Sequence, residues 1–177
     1  MYALPSGFVG MDNERLNCGT ELIEYPQPPE ILTQIHSGKL LIVDSRRRNG
    51  LILIKVYHAE FAGPGAAVGG VFDRDCQEVI LVGDVCLVEP KSPEERQKAY
   101  GIRRHWVRLT EQLTARSLPV VRSQMLLTQF EQYFDSETVA QLPDLALALL
   151  VGVFPQTIRM ARVQSAELSG SAKADRS

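Results

Sequence analysis

The chain changes character at Pro90, and this change limits the folds that are open to it. Between Glu21 and Glu89, short apolar runs alternate with Gly, Pro, Asn and Asp, a pattern typical of short β-strands joined by turns. After Pro90, apolar residues recur at helical spacing. Strands followed by helices favour an α+β fold. The frequent turns favour an antiparallel sandwich or barrel in residues 21–92.

Two pairs of short strands stand out in the first half. The apolar runs 40–44 and 51–57 flank Asn49 and Gly50, a strong tight-turn signal, so they predict a β-hairpin. The runs 79–82 and 85–88 predict two more strands, with Gly83 and Asp84 between them. Four glycines between the two pairs allow close backbone approach or turns with positive φ. They are Gly63, Gly65, Gly69 and Gly70.

A long helix is predicted over residues 93–117. Ser92 suits the cap, Pro93 the first position, and two glutamates follow in the first turn. Apolar residues then recur at alternating spacings of three and four, as in the seam of a coiled coil. The helix could pack on its own barrel or pair with a second copy. As a dimerisation helix, its seam consists of Ile102, Trp106, Leu109 and Leu113.

The most informative segment, residues 143–163, predicts a helix-turn-helix within residues 118–168. Asp144 can cap the first helix, and Gly152 lies where the chain must turn sharply. Pro155 suits the first turn of the second helix, while Ile158 and Ala161 face back onto the first. In this motif the second helix enters the DNA major groove.

Four residues are left for the outer face of the second helix. Gln and Arg can bond bidentately with base edges, and Arg and Thr can hold phosphates. The predicted DNA-binding residues are Gln156, Thr157, Arg159 and Arg162.

The order of these elements resembles that of Crp/Fnr-type transcription regulators. The segment 37–43 resembles the family's SGxxxIV strand, and 56–63 resembles its PGdxFG stretch. The segment 73–76 is similar to the end of the phosphate-binding cassette, and 85–88 to the final barrel strand. The resemblance implies a jelly-roll barrel of the cyclic-nucleotide-binding type in residues 21–92, a dimerisation helix and a DNA-binding helix-turn-helix. It implies a homodimeric transcription regulator on double-stranded DNA, with RNA polymerase as a possible further partner.

The same resemblance places an effector pocket at Gly63, Arg74 and Asp75. The family's cyclic-nucleotide binders have a Glu where Pro64 stands, and Pro64 cannot accept a ribose hydrogen bond. Asp75 would repel a phosphate by like charge. We therefore expect a small-molecule effector other than cAMP or cGMP, or none. The single Cys18 and the scattered histidines indicate neither an iron–sulfur nor a haem sensor, so no cofactor is predicted.

The distribution of charge fits the predicted regulator, and the absence of targeting signals indicates where in the cell we expect it. Residues 1–90 carry a net charge of −5 and residues 91–177 a net charge of +3, which fits a sensor joined to a nucleic-acid reader. No signal peptide and no apolar stretch of membrane-spanning length is present, so we expect a cytoplasmic protein without a membrane partner. Residues 1–20 are interpreted as a flexible arm and 169–177 as a disordered tail.

Two other functions are alternatives to the regulator. The family's β-hairpin wing has too few residues after Leu168, and the net charge is −2, which favours a protein-interaction adaptor or co-regulator that does not read DNA. A cupin-type metalloenzyme would need His and Glu ligands inside the barrel. Only His36 and His58 fall there, without an HxH pair, and the cysteines form no CxxC pair for a metal site. The sequence therefore predicts a protein that is not an enzyme.

Overall fold

The computed structural model describes the backbone of residues 28–174 and the side chains of residues 30–167. Within this range the chain forms six short strands and six helices. The predicted arm, residues 1–20, lies outside the described residues. The elements are α1 (Pro28–His36), β1 (Leu40–Val43), β2 (Gly50–Ile54), β3 (Ala59–Ala62), β4 (Ala67–Gly69), β5 (Glu78–Val82), β6 (Leu87–Val88), α2 (Pro93–Thr114), α3 (Pro119–Tyr133), α4 (Ser136–Gln141), α5 (Asp144–Val151) and α6 (Pro155–Ala174).

The strands form two antiparallel sheets of three strands each, in the orders β4-β1-β6 and β3-β2-β5. Buried side chains of both sheets, among them Val43, Leu53 and Val68, share one hydrophobic cluster. The fold is therefore α+β, but the predicted jelly-roll barrel is wrong, because the described strands form two small open sheets and not a closed barrel. Among the described strands, each ladder ends at two edge strands, whereas a barrel needs a ladder that closes on itself.

The predicted hairpin across Asn49 and Gly50 is also wrong. Both strands exist, but β1 pairs with β4 and β6, whereas β2 pairs with β3 and β5. The connection between β1 and β2 is a bend that is stabilised by hydrogen bonds within the connection itself. The Asn49 amide donates to the Asp44 carbonyl oxygen over 3.0 Å, and the Asp44 carboxylate accepts from the backbone and side chain of Arg46. These bonds turn the chain from one sheet into the other.

The first described element is a helix in a region that the sequence pattern assigned to strands. α1 packs on β5 and β4 and buries Ile31 and Ile35 completely, a spacing of one helical turn. Its apolar face closes one side of the cluster between the sheets.

Helix α2 begins as predicted at Ser92, whose hydroxyl accepts from the Glu95 backbone N–H. It lies across β3 and β4 and against α3 and α5 of the same chain. Trp106 packs edge-on against Phe61, with ring centroids 5.2 Å apart, and against Tyr133 at 4.9 Å. A Cβ on Gly63 would overlap the indole of Trp106, so only glycine fits there.

The helices after α2 pack on the sheet as well as on one another. One hydrophobic cluster joins Leu126, Leu147 and Ile158 of the helices to Ile52 and Phe61 of β2 and β3. Helix α6 continues to Ala174, over most of the segment interpreted as a tail, and residues 175–177 of that segment lie outside the described residues. No described helix is by itself long and apolar enough to cross a membrane, although α5 and α6 taken as one bent pair meet those criteria.

Candidate functional site

Helices α5 and α6 form a helix-turn-helix with a bend of 104° between them. Such motifs have angles of about 90–120°. Gly152 ends α5 in the left-handed conformation, with φ 61°, where a side chain would be strained. Arg122 of α3 donates to the carbonyl oxygens of Val151 and Gly152, at 3.2 and 3.4 Å. The turn is therefore fixed both by its own backbone and by a neighbouring helix.

The two arginines predicted to bind DNA occupy different environments. Arg162 is largely buried, pairs with Asp144 at 2.9 Å, and donates to the carbonyl oxygens of Val139 and Leu142. Arg159 pairs with the other Asp144 oxygen at 3.1 Å, but 70% of its side chain is exposed. Arg162 thus fastens α6 to the α4–α5 junction, whereas Arg159 is accessible to a ligand.

The remaining predicted residues lie near the start of α6. Gln156 is exposed and Thr157 is half-buried, so both can approach a partner that covers this end of the helix. Apolar side chains share the exposed surface, a feature that sequence reasoning missed. Phe154 is 80% exposed, and Met160 and Val163 are each more than half exposed. The helical periodicity could have predicted that Met160 and Val163 are exposed, since neither lies on the buried stripe of Ile158 and Ala161.

The charge of the helical half differs from that of a strongly basic DNA-binding domain. Residues 118–168 contain three arginines, no lysine and five acidic residues. The excess of basic residues after residue 90 belongs largely to α2. Attraction to the phosphate backbone would therefore contribute little to any DNA affinity of α5 and α6.

Most residues assigned to the dimer seam have contacts within the chain. Leu113 is 2% exposed in the cluster of the helical half, and Ile102 packs against the cluster between the sheets. Trp106 packs against both clusters, and Leu109 is half-buried beside Phe130. Intrachain packing is sufficient to explain the spacing of three and four.

The three residues assigned to an effector pocket do not line a common cavity. Gly63 is buried under Trp106, Arg74 is exposed, and Asp75 pairs with Lys55 at 3.0 Å. A cavity of about 530 Å³ lies between the edge strands β3 and β4 and helix α2, and none of the three residues lines it.

That cavity is built by residues that are distant in sequence. Lys55 and Glu60 come from the β2–β3 hairpin, Asp73 from the loop after β4, and Arg103 from α2. The Lys55 and Asp73 side chains are 8% and 2% exposed, so charged groups are buried in its wall. No sequence signal linked these four residues to one another, because they lie in separate segments of the chain.

The four charged side chains form one ion cluster. Arg103 donates to both Asp73 oxygens and to Glu60, while Lys55 donates to the Phe72 carbonyl oxygen at 2.8 Å. Burial lowers the pKa of Lys55, but Asp75, Glu60 and Asp73 outweigh burial and leave that pKa above its ordinary value. Burial raises the pKa of Glu60, and Arg103 and Lys55 reverse the effect and leave it below its ordinary value. The Lys55 ammonium and the Glu60 carboxylate are therefore charged near neutral pH.

The lowered pKa of Glu60 predicts a stability that depends on pH. The contribution of the carboxylate is fully present above the ordinary pKa of 4.5 and is lost as the pH falls through the lower pKa of the folded state. We expect the unfolding free energy of the wild type to fall more steeply than that of Glu60→Gln below about pH 4.5. Urea unfolding in steps from neutral to acidic pH measures both curves. Parallel curves would contradict the assignment.

His36, His58 and Cys76 each contact other groups of the described chain. His36 contacts the Cys76 carbonyl oxygen at 2.7 Å, and His58 contacts Glu60 at 3.2 Å. Burial raises the pKa of the Cys76 thiol to about 11, so this thiol is protonated at neutral pH. Within residues 28–174, no three His, Cys, Asp or Glu side chains are grouped so as to hold a metal ion.

No family model, characterised protein or solved structure matches this chain.

Proposed function

We propose that the protein is a transcription regulator of Crp/Fnr-like character that binds double-stranded DNA through α5 and α6. The observation that carries this proposal is the fixed helix-turn-helix: a 104° bend at a left-handed Gly152, with Gln156 and Arg159 exposed at the start of the second helix. A recognition helix reads bases with residues near its N-terminus. Gln and Arg are suited to that role, because each can bond bidentately with a base edge.

In this proposal the ion pair between Arg159 and Asp144 opens when DNA binds. An exposed ion pair is worth about 1 kcal/mol or less, so its loss is offset by one good base contact. Arg162 keeps its bonds to Asp144, Val139 and Leu142 and maintains the angle of the motif.

Arg159→Ala is expected to weaken binding to selected duplex DNA about tenfold to a hundredfold, because it removes a base contact worth about 1–3 kcal/mol. Fluorescence anisotropy with labelled duplexes recovered from a random pool measures the change. The matched control is Arg96→Ala, which removes the same charge from an exposed position on α2 outside the motif.

If the two variants bound the selected duplex with equal affinity, Arg159 would contribute no more than its charge. That result would contradict its assigned role in base contact. Arg162→Ala is unsuitable as a test of DNA contact, because it would also disrupt the α4–α5 junction.

A second candidate is a protein-interaction adaptor. Two observations favour it: Phe154, Met160 and Val163 are exposed apolar side chains on the motif, and residues 118–168 contain more acidic than basic residues. An adaptor of this kind would present α6 to a protein partner and show no preference among DNA sequences.

The proposed regulator acts in the cytoplasm as a homodimer, with two recognition helices on half-sites about one helical turn apart. Because Ile102, Trp106 and Leu113 pack inside their own chain, a dimer has to use other surfaces of the molecule. A palindromic motif among the selected duplexes would support the dimer. RNA polymerase stays a predicted further partner of the regulator.

A further inference from the structure

We propose that the cavity of about 530 Å³ beside α2 binds a small aromatic anion, such as a bicyclic aromatic carboxylate. Its size lies within the range of small-molecule sites, about 300–1,000 Å³. It is lined by β3, β4, the loop after β4 and α2, so a ligand would contact both the sheets and the long helix.

One wall of the cavity is shaped for a flat apolar body. Phe72 and Tyr100 meet edge to face with ring centroids 5.6 Å apart, and Val107 lies about two turns after Tyr100 on α2. Phe72 is 64% exposed, a large uncovered area for a phenylalanine. Aromatic rings prefer to meet other rings in such edge or offset arrangements, so a ligand ring would cover this surface favourably.

The charges of the lining favour an anion. Lys55, Arg103 and Arg104 supply three positive charges, and Glu60 and Asp73 supply two negative charges. Asp75 also pairs with Lys55, but it does not line the cavity and is 57% exposed, so solvent screens it. The lining thus has one positive charge more than it has carboxylates.

The excess charge can be assigned to Arg104. Lys55 and Arg103 are engaged in the ion cluster, whereas Arg104 has no hydrogen bond or ion pair to any described residue. In addition, the buried Arg103 Nε has no acceptor within the part of the chain that the structure describes. The Arg104 guanidinium and the Nε of Arg103 therefore each lack an acceptor, which an anionic ligand would bring.

The proposal is tested with naphthoate, its neutral analogue naphthamide, and inorganic phosphate, each titrated into the full chain by isothermal calorimetry. We expect saturable binding of naphthoate, with naphthamide and phosphate each at least about tenfold weaker, because one lacks the charge and the other lacks the ring. Arg104→Gln is expected to weaken naphthoate binding about tenfold. Arg108→Gln, one turn further along α2 and outside the lining, is expected to leave it unchanged.

Absence of saturable naphthoate binding would overturn the proposal, as would equal binding of naphthamide or phosphate. An equal effect of Arg104→Gln and Arg108→Gln would reduce the interaction to general charge and also overturn it. Arg104 is exposed, so its replacement should leave the melting temperature unchanged, and a melting curve checks this. The inference rests on the cavity alone, and its test does not depend on whether α5 and α6 bind DNA.

Discussion

Replacing Asp73 with Asn is expected to lower the unfolding free energy by about 3–5 kcal/mol, the loss typical of removing one partner of a buried ion pair. The Asp73 carboxylate is 2% exposed and accepts from the Gly69 backbone N–H at 2.9 Å and from Arg103. Its removal leaves Lys55 and Arg103 buried, and among the described residues Glu60 is the one remaining carboxylate that contacts both. Urea unfolding at neutral pH measures the loss.

Asp75→Asn is the matched control for this prediction. Asp75 pairs with the same Lys55 at 3.0 Å, but it is 57% exposed. We expect a loss of about 1 kcal/mol or less, since water replaces an exposed partner. Similar losses for the two variants would show that the ion cluster is solvated in solution and that burial does not determine its strength.

Replacing Trp106 with Ala is expected to lower the unfolding free energy by about 3–5 kcal/mol, because it removes a large ring that packs against both hydrophobic clusters. The indole fills the space above Gly63 and contacts the rings of Phe61 and Tyr133. Because these contacts lie within one chain, the loss should be the same at low and high protein concentration. Chemical unfolding at two protein concentrations measures it.

His105→Ala provides the comparison, since the neighbouring side chain is exposed and should change stability by about 0.5 kcal/mol or less. If the Trp106→Ala loss grew with protein concentration, Trp106 would belong to an interface between two copies. The coiled-coil interpretation of α2 would then be right and the intrachain interpretation wrong.

The sequence predicts local structure better than it predicts pairing. Ser92, Pro93 and the glutamates after them begin α2 where expected, and Gly152 and Pro155 separate α5 from α6 as expected. These signals are local, since a cap or a left-handed turn depends on a few adjacent residues.

The pairing of strands depends on distant residues. Asn49 and Gly50 indicated a hairpin, but β2 gains more by pairing with β3 and β5, which bury its apolar side chains in both clusters. The preference for a tight turn is small compared with such burial.

The candidate sites show the same contrast between local signals and contacts among distant residues. The helical periodicity of 143–163 identified Gln156 and Arg159 as outward residues, but it could not show that Arg162 is bonded to carbonyl oxygens of α4 and the α4–α5 junction. The cavity escaped prediction altogether, because the fold assembles Lys55, Asp73 and Arg103 from three separate segments.

The measurement that tests the central claim most directly is selection of the purified full chain on a random pool of duplex DNA, at low and at moderate salt, followed by sequencing. The proposed regulator should enrich one motif at both salt concentrations, with half-sites about one helical turn apart if it binds as a dimer. Weak binding that disappears at the higher salt and enriches no motif would reflect phosphate attraction alone. That result would contradict the DNA-binding function and favour the protein-interaction adaptor.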